Sequence, residues 1–184
     1  MATPTRVSVE AFLAMEETKP YLELIDGEVV PKAIPTPKHS ATAREVLFAL
    51  TGFLRAHPIA RVDTELRFRN VEEGRVFLPD IAVTLDSRWP KRTSGAVEVM
   101  PDIAIEVLSP DDRASRLAER VDFYLRVGTS LIWVIDPELE NVSVYRRGEQ
   151  AEFRKGEGKL SAEPVLPGFE LDLVELFNVV RAYE

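Results

Sequence analysis

The sequence predicts an α/β fold of the α+β type: a central mixed β-sheet in helix-strand-strand-strand-helix-strand order, flanked by helices and preceded by an N-terminal helix and β-hairpin. Three observations predict it. Residues 40–56 and 111–127 repeat apolar residues at helical spacing. Between and after them lie apolar runs of strand length, at 76–85, 101–108 and 131–135. Asp-Gly and other glycine-bearing turns mark the places where the chain reverses.

In chain order, Ser8 is placed to cap a short helix over 9–17, with Phe12, Leu13 and Met15 available for packing, and Pro20 ends it. Residues 21–25, Asp26-Gly27 and 28–34 read as a β-hairpin, because Asp-Gly supplies the positive φ angles a tight turn requires. The loop Pro35-Thr36-Pro37-Lys38-His39 follows. Over 40–56, Ala43, Val46, Leu47, Leu50, Phe53 and Leu54 keep to one helical face; Pro58 closes the segment, and His57 suits the negative end of the helix dipole. Residues 61–69 alternate Val62, Thr64, Leu66 and Phe68 with charged residues, as a half-exposed strand does.

Glu72-Glu73-Gly74 turns the chain into a strand over 76–85. Residues 86–99, with Pro90, Lys91, Arg92 and Gly95, read as a loop or sheet edge. The helix over 111–127 carries Ala114, Leu117, Ala118, Val121 and Leu125 on its apolar stripe, with Asp111 and Asp112 at its positive end and Gly128 as its cap. Residues 131–135, Trp133 included, are apolar throughout, as in a central strand covered on both faces. A further strand is expected over 141–145, a mobile polar hairpin over 146–159, and a last apolar segment over 164–177 ending in a short helix. The expected organisation is one domain over 1–184, with helix and hairpin at 8–34, the core at 40–136, and C-terminal strands and short helix at 141–180.

At 184 residues the chain can bury a core of its own. It has no cysteine, which excludes disulfides, thiolate metal sites and thiol nucleophiles. No apolar run reaches a membrane-spanning length, and MATPTRVSVEAF lacks a signal peptide's apolar segment. A cytoplasmic protein with no membrane partner is therefore expected. The net charge of −8 argues against non-specific coating of nucleic acid, whose affinity comes from neutralising phosphates, but leaves room for a local basic groove.

PDIAIEVLSP at 101–110 puts a carboxylate where an apolar residue belongs. Ile103, Ile105 and Val107 share one face of a period-2 strand, while Asp102, Ala104, Glu106 and Leu108 share the other. Both faces read as buried, and a buried ionised carboxylate costs several kcal/mol unless it is paired, protonated or bound to a cation. PDIAV at 79–83 echoes the motif. Side by side, the two strands would bring Asp80 and Glu106 into an all-oxygen site that suits Mg2+ or Mn2+. The alternative is that Pro-Asp merely opens each strand and Glu106 pairs with an arginine.

Arg113, Arg116 and Arg120 fall within about 60° of one another on the second long helix, bordering its apolar stripe. They are placed to reach the carboxylates or a phosphate, or else form a solvated face with Asp112 and Glu119. His39, just before the first long helix, is placed to bind an anion or handle a proton, or is only a neighbour of the helix cap. Asp102, Glu23 in the hairpin, Glu45 and Arg116 form a second tier of candidates. Asp136 reads as the turn-forming residue of Asp-Pro.

The element order, with PDIAV, PDIAIEVLSP, LIWVIDP at 131–137, LELIDGE at 22–28 and His39, resembles the Uma family of restriction-endonuclease-like proteins, within the PD-(D/E)XK nuclease superfamily. The resemblance covers most of the chain. It implies a restriction-endonuclease-like core and a Mg2+- or Mn2+-dependent endonuclease acting on DNA. Asp80 and Glu106 would hold the metal, the Val107 carbonyl would complete its coordination, and His39 and Arg120 would serve the reaction. The superfamily's lysine, two residues after the Glu, is Leu108 here; the family's lysine on the following helix is matched by Arg120. Arginine cannot deprotonate, so Arg120 would orient water and offset charge rather than act as a base. Two alternatives stand beside the nuclease. One is a fold relative without catalysis that acts in binding or assembly, as a homodimer or higher homo-oligomer through its edge strands. The other is a metal-dependent hydrolase of small phosphoesters.

Overall fold

The structure is a computed structural model and describes residues 6–91 and 95–183. Residues 1–5, and Arg92 of the predicted loop, lie outside the described residues. Helix α1 (Val9–Leu13) leads into a hairpin of β1 (Leu22–Ile25) and β2 (Glu28–Pro31). Helix α2 (Pro37–Ala56) and β3 (Ala60–Thr64) follow, then a second hairpin of β4 (Phe68–Asn70) and β5 (Arg75–Phe77). Next come β6 (Ile81–Leu85), β7 (Ile103–Val107), α3 (Ala114–Val127), β8 (Leu131–Asp136) and β9 (Asn141–Arg146). The chain continues through β10 (Glu152–Lys155), β11 (Lys159–Ser161), β12 (Glu170–Asp172) and α4 (Leu173–Arg181).

The large sheet has the order β10-β9-β8-β7-β6-β3, with β7 and β8 parallel and the other neighbours antiparallel. Helix α3 is the crossover that a parallel pair requires. The smaller sheet, β2-β1-β5-β4, is covered by α1, whose Val9 and Phe12 pack on Leu24 and Val76. This is the α+β arrangement, with a mixed central sheet flanked by helices, that the sequence predicts.

Period-2 alternation decides what each face of the large sheet meets. Ile81, Val83, Ile103, Ile105 and Trp133 pack with Val46, Leu50 and Leu54 of α2 and with Leu176 and Phe177 of α4. On the other face Ala82 and Ala104 are small, and Val121, Phe123 and Tyr124 of α3 pack there with Phe68 and Phe77. The α3 stripe therefore differs from expectation: its buried residues are Val121, Phe123 and Tyr124, while Ala114 and Ala118 are exposed. Large rings fill the space that Ala82 and Ala104 leave.

Several boundaries depart from the sequence reading, each for a local reason. Helix α1 stops at Leu13, because the next residues bury nothing and a short helix depends on packing. Helix α2 starts at Pro37, since Thr36 accepts the His39 N–H at 3.1 Å and proline suits a first turn; His39 thus lies inside the helix. Helix α3 starts at Ala114, because the Asp112 carboxylate accepts the Ser109 N–H and folds 109–112 into a turn. The strand expected over 61–69 breaks at Glu65, whose φ is 50°, so β3 and β4 join different sheets. The strand expected over 76–85 breaks at Leu78-Pro79-Asp80, and β5 and β6 again join different sheets. The segment 146–159, expected to be a mobile hairpin, carries β10, which extends the large sheet. The Asp26-Gly27 turn (φ 51° and 82°) and the Asp172 cap of α4 close their elements as the residue types suggest.

Ile105 is fully buried against α2, so Ile105→Ala is expected to cost ~2–5 kcal/mol in urea unfolding. Phe153→Ala, on the exposed face of β10, is expected to stay within ~0.5 kcal/mol in the same measurement.

Candidate active site

The site forms where the chain crosses from the small sheet to the large one. Pro79 has no N–H to offer a strand ladder. The neighbouring backbone groups bond to side chains instead: the Leu78 N–H donates to Glu23 Oε1 at 3.1 Å, and the Leu78 carbonyl accepts from Lys32 Nζ at 2.7 Å. Asp80 then enters β6. Ile81 pairs with Ile105 in antiparallel register, so the residues just outside that pair, Asp80 and Glu106, fall opposite each other. Both are buried, on the α3 side of the sheet.

Asp80 Oδ2 accepts the Val107 N–H at 2.8 Å, and His39 Nε2 lies 3.3 Å from the same oxygen. Asp80 Oδ1 accepts from Lys32 Nζ at 2.7 Å. Glu106 accepts from Arg120 Nη1 at 2.8 Å on Oε2 and from the Tyr124 hydroxyl at 3.0 Å on Oε1. Arg120 reaches Glu23 Oε2 with its other terminal nitrogen at 2.7 Å. Three buried carboxylates thus share the cations Lys32 and Arg120. His39 Nδ1 and Arg120 Nε are buried without a partner. A cavity of about 350 Å³ opens over the cluster, with Arg113 and Arg116 also on its wall.

The electrostatics separate the two central carboxyls. Burial pushes Glu106 up, and although Arg120 opposes this, the negative charges of Asp80 and Glu23 add to it, so Glu106 titrates at about 7. Burial also acts on Asp80, but the charge of Lys32 and the His39 contact outweigh it and hold the carboxyl well below its ordinary value. Burial opposes the charge on Arg120 too, yet Glu106 and Glu23 beside it drive its pKa well above normal. The Tyr124 hydroxyl is pushed well up by burial and by Glu106.

The structure gathers Asp80, Glu106, Val107, His39, Arg120, Glu23 and Arg116 around one cavity. Asp102 is not among them. It shares Glu106's strand face but sits at the opposite end of β7, where its carboxylate accepts the Leu85 N–H and pairs with Arg88. Glu45 is also elsewhere: it pairs with Arg44 and lines a groove beside α4. His57 Nδ1 lies 3.2 Å from the Phe53 carbonyl at the end of α2, and Asp136 Oδ1 accepts the Glu138 and Leu139 N–H groups of its turn. Lys32 and Tyr124 escaped the sequence reading. A lone lysine after Val29-Val30-Pro31 was one available signal, and a tyrosine four residues beyond Arg120, hence on the same helical face, was the other.

The family model of Uma2, described as "Putative restriction endonuclease", matches residues 9–174. The chain belongs to the Uma2 family. Among solved structures, this Uma2 chain is similar to a protein from Anabaena variabilis described as "a putative nuclease belonging to DUF820". The two are 29% identical, with a TM-score of 0.85 over 95% of this chain and 99% of that one. A cryo-electron microscopy structure of a DrdV-DNA complex shares 12% identity over 78% of this chain and 11% of its own, at a TM-score of 0.40, too slight a likeness to argue from. No curated protein matches the chain. No described helix is long and apolar enough to cross a membrane.

The Glu106 shift has a sign that folding experiments read. An unfolded glutamate ionises near 4.5 and this one near 7, so between those values the folded state holds a proton that the unfolded state has lost. Stability is therefore present below about 4.5 and lost as pH rises through about 7. Asp80 acts oppositely: its contribution is present above the ordinary aspartate value and lost as pH falls below it. Measured by urea unfolding at pH 5 and pH 8, the wild type should lose roughly 3 kcal/mol more than Glu106→Gln over that interval. Equal losses in the two proteins would remove Glu106 as the titrating group.

Proposed function

We propose that this Uma2 protein is a metal-dependent endonuclease that hydrolyses DNA phosphodiester bonds, with Mg2+ or Mn2+ held by Asp80 and Glu106. The observation that carries the reading is the pairing of these two buried carboxylates, opposite each other at the ends of adjacent central strands and under one cavity. The restriction-endonuclease description of the family and the nuclease description of the Anabaena protein support the same reaction class.

The donor chemistry suits the ion. Carboxylate oxygens are the ligands that Mg2+ prefers, and Mg2+ is often held by one or two carboxylates with water filling the rest of its shell. Among the described residues no three His, Asp or Glu side chains form a ready cage, so water would have to complete the set, with the Val107 carbonyl as a further oxygen. Burial, with the charges of Asp80 and Glu23 added to it, raises the pKa of Glu106, and a cation bound there would favour its charged form. When bound, the ion would supply Lewis-acid polarisation of a phosphoryl oxygen and a water acidified for attack.

The chain's own residues have distinct parts in this reading. The Val107 N–H fixes the rotamer of Asp80. Arg120 keeps its charge at every working pH and offsets the charge that builds on the phosphate, without taking a proton. His39, on the cavity wall with Nε2 3.3 Å from Asp80 Oδ2, is placed to carry a proton in the reaction. Arg113 and Arg116, on the cavity wall, are placed for flanking phosphates of a DNA strand.

A second reading draws on a different observation. Each oxygen of Glu106 accepts a bond from the protein itself, one from Arg120 and one from Tyr124, as in a site filled from within. That would suit a nuclease-fold protein acting in binding or homo-oligomeric assembly.

Cleavage of single- and double-stranded DNA separates these readings. The nuclease requires Mg2+ or Mn2+, is silenced by chelation, and falls at least ~100-fold in Glu106→Ala or Asp80→Ala purified identically. Equal cleavage by wild type and both variants, or none by any, contradicts it. Metal-dependent hydrolysis of bis(p-nitrophenyl) phosphate with intact DNA would move the substrate to small phosphoesters.

A further inference from the structure

Lys32 follows β2 directly, and it is the lysine among the residues that line the cavity. Its side chain is 12% exposed, and its Nζ lies 2.7 Å from both Asp80 Oδ1 and the Leu78 carbonyl. Arg120 is divided between Glu106 and Glu23, while Asp80 has Lys32 on Oδ1 and His39 Nε2 3.3 Å from Oδ2.

We infer that Lys32 stands in the place of the metal: its ammonium neutralises Asp80 in the metal-free protein, gives up that oxygen when a divalent cation enters, and turns to the substrate phosphate. The inference rests on the metal-dependent reading above. An ion held by Asp80 sits about 2.1 Å from the carboxylate oxygen, and an ammonium on the same oxygen would meet it at strongly repulsive distance. One of the two has to yield. Lysine is the side chain suited to yield, being a compact point charge on a flexible stem, whereas the planar fork of Arg120 is locked on two carboxylates. The cavity above offers Lys32 a new position, and a phosphate bound there offers it a new partner. Metal entry and the arming of a substrate-facing cation then become a single event.

Calorimetric titration with Mn2+ and single-turnover DNA cleavage at saturating Mn2+ test this in wild type, Lys32→Met and Lys32→Gln. Removing the competing charge should tighten Mn2+ binding by about tenfold in both variants while cleavage slows at least ~10-fold. A purely structural lysine would not move the two readouts in opposite directions. Variants that bind Mn2+ no tighter than the wild type, or that cleave as fast, overturn the inference and leave the metal-dependent reading standing. Failure of wild type and variants alike to bind Mn2+ overturns both. The Lys32 Cε resonance of the wild type, followed as Mg2+ is added, gives an answer that does not depend on how the variants fold. It must shift and saturate with the metal, and a resonance that stays in place contradicts the exchange.

Discussion

Arg120 donates to Glu106 through one terminal nitrogen and to Glu23 through the other, and this fork allows those two carboxylates to lie buried beside Asp80, which pairs with Lys32. Breaking a buried ion pair by removing one partner typically costs a few kcal/mol, because the remaining charge is left without compensation. Here that remainder would be two charges, one in the hairpin and one on a central strand. The same contact therefore ties the small sheet, through Glu23 of β1, to the large sheet, through Glu106 of β7, with α3 as the clamp.

The surrounding packing serves this clamp. Ala82 and Ala104 keep the sheet surface low where α3 crosses, so Val121, Phe123 and Tyr124 settle on it and Arg120 stands over the carboxylates. The strand break at Leu78-Pro79 is bonded by the site itself, through Glu23 and Lys32, so folding the joint and assembling the cluster are one process. Arg75 of β5, also buried, bridges Asp26 in the hairpin turn and Glu119 on α3, a second tie between the small sheet and α3. The cost of this construction is electrostatic. Burial raises the pKa of Glu106 despite the opposing charges of Arg120 and Lys32, and a site with such a group is poised to take up a proton or a metal ion.

Much of the sheet was legible in the sequence because burial follows a strict alternation. Ile103 and Ile105 against Ala104 and Glu106 give both the strand and its faces, and the echo at Asp80-Ile81-Ala82 places the pair of carboxylates on one side. The breaks at Glu65 and at Leu78-Asp80 were not legible in that way. Apolar alternation continues straight through each of them while the backbone changes sheet. Asp102 illustrates a related limit: period-2 reasoning finds the face, but position along the strand decides which cluster a side chain joins. Lys32 required the hairpin's approach to β6, a tertiary fact, and Tyr124 was hidden inside an apolar stripe where a tyrosine reads as core.

Everything functional in this account turns on whether a divalent cation belongs between Asp80 and Glu106. The direct measurement is a crystal structure of the wild-type protein grown near pH 8 with Mn2+, read by anomalous diffraction. The account predicts a peak within ligand distance of both carboxylates, with Lys32 drawn away from Asp80. A map without such a peak at saturating Mn2+, and with the Lys32, Asp80, Glu106 and Arg120 contacts unchanged, would contradict it.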